Sequence, residues 1–277
     1  MPQVITTILL DDNPNGLRLI EMANWPGKAF VVPRSKLKEL RSREDVSQPG
    51  VYILLGEGEE NTKAYIGQSE NVLDRLNTHD SARGDEEWDS AIIFVGKLDS
   101  TFIKYIESIS LKQAKEVNRY EIFNNASPRE NSLSEAQKIV AGEYFEKMKL
   151  VIGLLGYKLF ELVSDSVVGE SLYHLKADGA DAKAQLLDDG GINVLEGSLA
   201  RIRETISFWG WSKVAREKFV AEGFLVDNED GVSYRFTRDV VFKSPSAAAA
   251  TVTGRPINGW TAWRDEEGNT LDENVRR

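Results

Sequence analysis

The chain has 277 residues, 41% hydrophobic and 28% charged, a length comfortable for two globular domains and a composition ordinary for them. It has no cysteine, which excludes disulfides, thiolate metal sites and a cysteine nucleophile. It carries 34 basic and 44 acidic residues, a net charge of −10 that opposes broad attraction to a polyanion. There is no run of 18 apolar residues and no basic-then-apolar leader, so a cytoplasmic location is expected.

The first segment alternates in strand fashion through VITTILL, LRLIEM and KAFVV, with turn chemistry at Asp12-Asn13-Pro14-Asn15-Gly16. A short helix is expected over Ser35–Arg43, capped by Ser35. Residues 1–49 therefore read as a β-rich leader. Its RSKLKELRSR stretch is the densest basic cluster, with Arg34, Lys36, Lys38, Arg41 and Arg43, and reads either as a solvated helix face or as a phosphate-contacting patch.

Pro49-Gly50 opens the second unit. GVYILL and KAYIGQS read as two strands of a hairpin around the polar loop GEGEENT. Asn71 is placed to cap a helix over NVLDRLNTH. AIIFVGKL reads as a third strand. Asp99 then starts a helix over DSTFIKYIESISLKQAKEV. After the loop NNASPREN, Ser132-Leu133-Ser134-Glu135 reads as a capping box. It opens a long helix whose apolar face is expected to carry Ile139, Val140, Phe145, Met148, Val151, Ile152 and Leu155, stopping near Gly156.

Residues 161–277 differ in texture. Short strands SLYHLK, AKAQLL and INVLEG alternate with Gly- and Asp-rich turns. A helix is expected near Trp211–Ala221. A hairpin follows over FLVDNEDGVSYRFT with Asp230-Gly231 in its turn, then an alanine-rich helix after Ser244 with Pro245 at its first position. The sequence predicts an α+β protein in three parts: a leader (1–49), a small mixed three-stranded sheet flanked by helices (50–160), and a separate C-terminal α+β domain (161–277).

The chemistry-bearing residues gather between 50 and 125. Gly50-Val51-Tyr52 and Tyr65-Ile66-Gly67 lie on the two paired strands. Arg75 follows on the next helix, and His79 stands one turn further on the same face. Glu107 lies mid-helix inside YIES. This order, strand–strand–helix–strand–helix with those motifs, resembles the GIY-YIG nucleases, GVY being a conservative variant of GIY. The resemblance covers about residues 50–160. It implies a Mg²⁺- or Mn²⁺-dependent endonuclease that hydrolyses DNA phosphodiesters. Tyr52 would contact or deprotonate the attacking water, Tyr65 would hydrogen-bond phosphate or water, Arg75 would stabilise charge on the phosphorus centre, and Glu107 would hold the metal ion. The asparagine that completes the family's site has three candidates, Asn118, Asn124 and Asn125, of which the loop pair Asn124-Asn125 is favoured.

The general base stays open on sequence alone. A phenol ordinarily titrates near pH ~10 and needs nearby positive charge, from Lys63 or Arg75, to act as one. His79 is its rival, since an imidazole ordinarily titrates near pH ~6.5.

Outside this core, the stretch GLRLIEMANWPGKAFVVPRSKLKEL resembles the leader preceding the nuclease domain in a bacterial GIY-YIG subgroup. The C-terminal stretch with SPSAAAA and NGW resembles an uncharacterised domain that often follows it. Trp260 and Trp263 read as core packing or as base-stacking rings, with Arg255 and Arg264 as phosphate contacts beside them. His174 reads as structural. The alternative to an active enzyme is a non-catalytic nucleic-acid or protein binding module that retains the nuclease fold. One site per chain nicks one strand, so cutting both strands would need a homo-oligomer.

Overall fold

The computed structural model describes residues 3–57, 62–82, 88–124, 133–177, 179–208 and 210–276. The fold is α+β. It divides into two compact units, Met1–Phe160 and Glu161–Arg277, each built on its own sheet.

The first unit's strands are β1 (Ile5–Leu9), β2 (Arg18–Met22), β3 (Gly27–Pro33), β4 (Gly50–Glu57), β5 (Thr62–Ser69), β6 (Ser90–Gly96) and β7 (Glu121–Ile122). Its helices are α1 (Val72–Ala82), α2 (Ser100–Val117) and α3 (Glu135–Leu154), with a 3-10 helix at Arg34–Ser42. The sheet runs β1-β2-β3-β6-β4-β5-β7, antiparallel except where the short β7 lies parallel to β5.

This corrects the expected three-stranded sheet. The leader's strands are not an appendage: β3 pairs with β6 along seven registered positions, from Gly27↔Gly96 to Pro33↔Ser90. The reason is visible in residues 29–32, an unbroken apolar run that needs cover on both faces. Ala29 and Val31 join the core on one face, Phe30 and Val32 the core on the other.

The strand alternation sorts the central strands in the same way. Val51, Ile53, Leu55, Ala64 and Ile66 face one core, with the buried stripes of α2 and α3. Tyr52, Leu54, Ile93 and Val95 face the other, with α1 and the 3-10 helix. The sheet is thus sandwiched between two helical layers.

Local chemistry sets the helix starts. Asp99 accepts hydrogen bonds from the Thr101 and Phe102 backbone N–H groups, and Asn71 accepts from Asp74 N at 3.2 Å. Two expectations shift. The 3-10 helix begins at Arg34 after Pro33, with no side-chain cap, so Ser35 does not cap it. The capping box is made by Ser134 with Gln137, two residues after Ser132, which lies outside the described residues. On α3, Ile139 and Val140 are exposed, and the buried stripe starts at Ala141.

The second unit holds β8 (Val167–Ala177), β9 (Ala180–Leu187), β10 (Ile192–Val194), β11 (Leu199–Arg201), β12 (Leu225–Asp227), β13 (Ser233–Phe236) and β14 (Val240–Phe242). They form an antiparallel sheet ordered β12-β13-β11-β9-β10-β14, with β8 also on β9. Its helices are α4 (Trp211–Ala221), α5 (Pro245–Thr253), α6 (Gly259–Ala262) and α7 (Leu271–Arg276). The alanine-rich α5 is buried along nearly its whole length, capped by Ser244 with Pro245 in its first turn. Four successive small side chains let it lie close in the core. Among the described residues, no helix is long and apolar enough to cross a membrane.

Candidate functional site

The hairpin register places the two motifs against each other: Gly50 pairs with Ser69, Tyr52 with Gly67 and Leu54 with Tyr65. Tyr52, Tyr65 and Gly67 therefore share one sheet face. Both motif glycines are required sterically. A Cβ on Gly67 would stand 2.5 Å from the Tyr52 hydroxyl, and one on Gly50 would stand 2.4 Å from the backbone carbonyl oxygen of Phe94. Gly67 clears the space the Tyr52 ring fills, and Gly50 lets β4 approach β6.

Helix α1 crosses this face and brings Arg75 and His79, four residues apart, to the phenols. The Tyr52 hydroxyl and His79 Nε2 are 2.9 Å apart. Arg75 Nε donates to the same hydroxyl at 3.4 Å. The rings cluster: Tyr52 and Tyr65 are stacked with centroids 6.1 Å apart, and His79 meets Tyr65 edge-on at 5.1 Å. Tyr52 is 1% exposed and His79 3%, whereas Arg75 is exposed, so the cluster opens to solvent on the arginine side.

Burial moves the protonation equilibria. It raises the Tyr52 pKa, as does the neighbouring Tyr65, and the opposing pull of Arg75 is too small to reverse this. The sequence-based condition for Tyr52 as a free base, a lowered pKa, is therefore not met. Lys63 does not supply it either. That residue lies opposite Gly56, four positions along β5 from Gly67, on the order of 13 Å of strand. Arg75 has its own pKa raised, chiefly by its hydrogen bond to Tyr52.

Glu107 of α2 reaches the end of β5, where it takes a hydrogen bond from the Gln68 backbone. Burial pushes its pKa up to about 7 against the lowering effects of that bond and of Arg75. Among the described residues, no three histidine or carboxylate side chains gather into a metal-binding group. Glu107 alone fits a site of the kind Mg²⁺ favours, with one carboxylate and the remaining positions left to water and phosphate oxygens. A half-buried carboxylate with an elevated pKa is also one that an added cation would stabilise.

The structure separates the candidate asparagines. Asn124 clamps the YIG strand: its Oδ1 accepts from Ile66 N at 3.1 Å and its Nδ2 donates to Ile66 O at 2.6 Å. It continues, with a side chain, the ladder that β7 begins at Lys63 and Ala64. Asn118 is instead the left-handed C-cap of α2 (φ 53°), and Asn125 lies outside the described residues. Sequence reasoning missed Phe123, which packs on Tyr65 at 5.5 Å, and the Gln68 backbone, whose position directly after the YIG motif was the available signal.

In the basic cluster of residues 34–43, Arg34, Lys36 and Arg43 are ion-paired within the fold, and Lys38 and Arg41 are exposed. Arg34 pairs with Asp80 at 3.0 Å and lies over the Trp88 ring. Lys36 pairs with Glu39 and Asp11, and Arg43 with Asp45. Lys38 is exposed and lines an open cleft with Arg34, Asp80 and Asp89, two cations against two acids. This does not make the cationic face a polyanion needs.

In the second unit, Trp263 is fully buried and its indole N–H donates to Pro245 O at 3.1 Å. Gly259 presses against the Pro245 backbone, where a Cβ would stand 2.1 Å away. SPSAAAA and NGW are thus two halves of one packing unit, and Trp260 packs at its margin. Arg264 donates to Gly268 O within a tight turn and bridges His174 through its backbone. Arg255 is exposed just past α5.

Residues 173–275 match the family described as a domain of unknown function, DUF4357, which covers most of the second unit. No curated protein and no solved structure matches the chain.

Proposed function

We propose that the first unit is a GIY-YIG-type endonuclease that hydrolyses DNA phosphodiesters with Mg²⁺ or Mn²⁺, acting in the cytoplasm. The observation that carries this reading is the convergence of Tyr52, Tyr65, Arg75 and His79 on one sheet face, with Glu107 near enough to feel the Arg75 charge. These residues come from four separate elements. A purely structural cluster has no need of a half-buried carboxylate beside an exposed arginine.

The hydrogen bonds suggest how the proton leaves the attacking water. Arg75 Nε can only donate, so the Tyr52 oxygen accepts from it. In the relay proposed here the phenolic hydrogen is directed to His79 Nε2, which requires the tautomer of the neutral ring with its hydrogen on Nδ1. As the water oxygen bonds to phosphorus, its proton passes to the Tyr52 oxygen while the phenolic proton passes to His79. Tyr52 thus never has to persist as a buried phenolate, which its raised pKa disfavours. Tyr52 and His79 act together, one as conduit and one as acceptor. Arg75, on the solvent side, is placed to meet the charge gathering on the phosphate. A divalent cation at Glu107 would supply neutralisation of the leaving oxygen.

A plasmid-nicking assay with purified protein and Mg²⁺ or Mn²⁺, beside Glu107→Ala and Arg75→Ala, tests the reading. Metal-dependent nicking lost in both variants is expected. Absence of cleavage on supercoiled, linear, branched and single-stranded DNA would overturn it in favour of a binding module.

A further inference from the structure

Helix α4 of the second unit buries a cation. Arg216 of α4 is 2% exposed, yet its Nε and both terminal nitrogens have no hydrogen-bond partner among the described residues. The nearest carboxylate oxygen, Glu204 Oε1, is 4.0 Å from Nη1, too far for a hydrogen bond. The guanidinium is instead held by rings, 5.3 Å from the centroid of Tyr234 and 5.7 Å from that of Phe208. Gly254 leaves room for it, since a Cβ there would stand 2.8 Å from Nη1. The fold thus holds a buried cation with an ion-pair partner, Glu204, at 4.0 Å and no hydrogen bond to its guanidinium among the described residues.

The surface above continues the pattern. The other Glu204 oxygen lies 3.9 Å from Lys213 Nζ, so one carboxylate faces two cations. Arg201 is close enough to disfavour the charge on Arg216 further. Arg203 and Lys213 are exposed, and Arg201 is half-buried. Residues 201–216 hold four basic residues and one acid, while the rest of 161–277 holds 10 basic and 19 acidic. Among the described residues, Arg203, Lys213 and Arg216 share one carboxylate neighbourhood at Glu204, and a charge buried in low dielectric is poorly screened by salt.

We infer that Arg203 and Lys213 form a surface that binds the phosphate groups of a nucleic acid, with the Arg216 charge beneath it, which shares the single Glu204 carboxylate with Lys213, strengthening the attraction. The surface cations make the contacts and Arg216 acts through the field, as a positioning charge. Choosing nucleic acid as the source of the phosphate rests on the nuclease reading of the first unit. The site itself does not.

The test is fluorescence anisotropy of a short labelled DNA duplex titrated with the full chain in EDTA, where metal-dependent cleavage cannot occur. Arg203→Ala/Lys213→Ala is expected to weaken binding about tenfold or more at low salt and to reduce the slope of log K against log salt by about 1.8, or ~0.9 per lost phosphate contact. A charge-matched control, Lys176→Ala/Lys243→Ala, is expected to leave both nearly unchanged. Arg216→Met, checked for cooperative unfolding, should weaken binding, and Arg216→Lys should restore most of it.

Equal losses in the control and the test variants would overturn the site, as would unchanged binding in Arg203→Ala/Lys213→Ala. Unchanged binding in a folded Arg216→Met would overturn the role of the buried charge. Binding of inorganic phosphate at these residues without duplex binding would overturn the nucleic-acid assignment. None of these outcomes depends on whether the first unit cuts.

Discussion

The Tyr52 hydroxyl and His79 Nε2 lie 2.9 Å apart in a spot almost sealed from water. Twenty-seven residues separate the two, and no local rule of strand or helix pairs them. They meet because β4 holds Tyr52 on the face that α1 covers, and because Arg75 and His79 stand one turn apart on that helix.

Removing the hydroxyl tests that pair. In Tyr52→Phe, the His79 ring nitrogen loses its buried partner and Arg75 loses an acceptor. Single-turnover nicking should fall by about 10²- to 10⁴-fold, the usual range for a lost proton-transfer group. Urea denaturation should show a stability loss of about 1–3 kcal/mol from the unsatisfied buried nitrogen. Full activity in Tyr52→Phe would refute the relay.

Glu107 makes a pH prediction. Its pKa in the fold, about 7, lies above the ordinary glutamate value of 4.5, so the folded state favours the protonated carboxyl. The associated stability is fully present below about pH 4.5 and is lost as pH rises through about 7. Without metal, Glu107→Gln should therefore be more stable than the parent at pH 8, by about 1–2 kcal/mol after solvent screening. The two proteins should converge near pH 4.5. Thermal melts at both pH values check this. Because metal displaces the same proton, Mn²⁺ affinity of the parent should weaken as pH drops below about 7, measured by calorimetry.

The motif glycines should fail differently. Gly50→Ala drives a Cβ at the Phe94 carbonyl, which belongs to a central strand and cannot step aside, so a stability loss of about 3 kcal/mol or more is expected in urea. Gly67→Ala collides mainly with the Tyr52 ring. Its larger effect should be on cleavage, with the near-ultraviolet tyrosine spectrum changed in the same variant.

Asn124→Ala removes both bonds to the Ile66 backbone. A loss of about 1–3 kcal/mol is expected. Hydrogen exchange at the Ile66 amide should rise well before global unfolding.

Arg216→Met should leave the second unit at least as stable as the parent, because a buried cation without hydrogen bonds is often neutral or costly relative to an apolar side chain of similar length. A large drop in its melting temperature would mean that contacts to the Phe208 and Tyr234 rings outweigh the desolvation of the charge.

Much of this was legible in the chain. The hairpin motifs, the Asp99 and Asn71 caps, α4, the Asp230-Gly231 turn and the proline-started α5 are governed by residues within a few positions of each other, and local rules read them directly. The order of Tyr52, Tyr65, Arg75, His79 and Glu107 was also visible as a pattern. Tertiary structure decided what depends on residues far apart. It merged the leader into the main sheet through β3 and β6, because an apolar run buried on both faces needs neighbours that sequence does not specify. It set Asn124 on the Ile66 backbone and Asn118 at the end of α2, turned the tryptophan that follows NGW, Trp263, inward against Pro245, and paired Arg34 and Lys36 with acids drawn from elsewhere in the fold. It raised the Tyr52 and Glu107 pKa values, since burial is a property of the packed surroundings and not of the residue. It also left the Arg216 guanidinium without a hydrogen-bond partner among the described residues, a condition set by what the fold fails to bring near it.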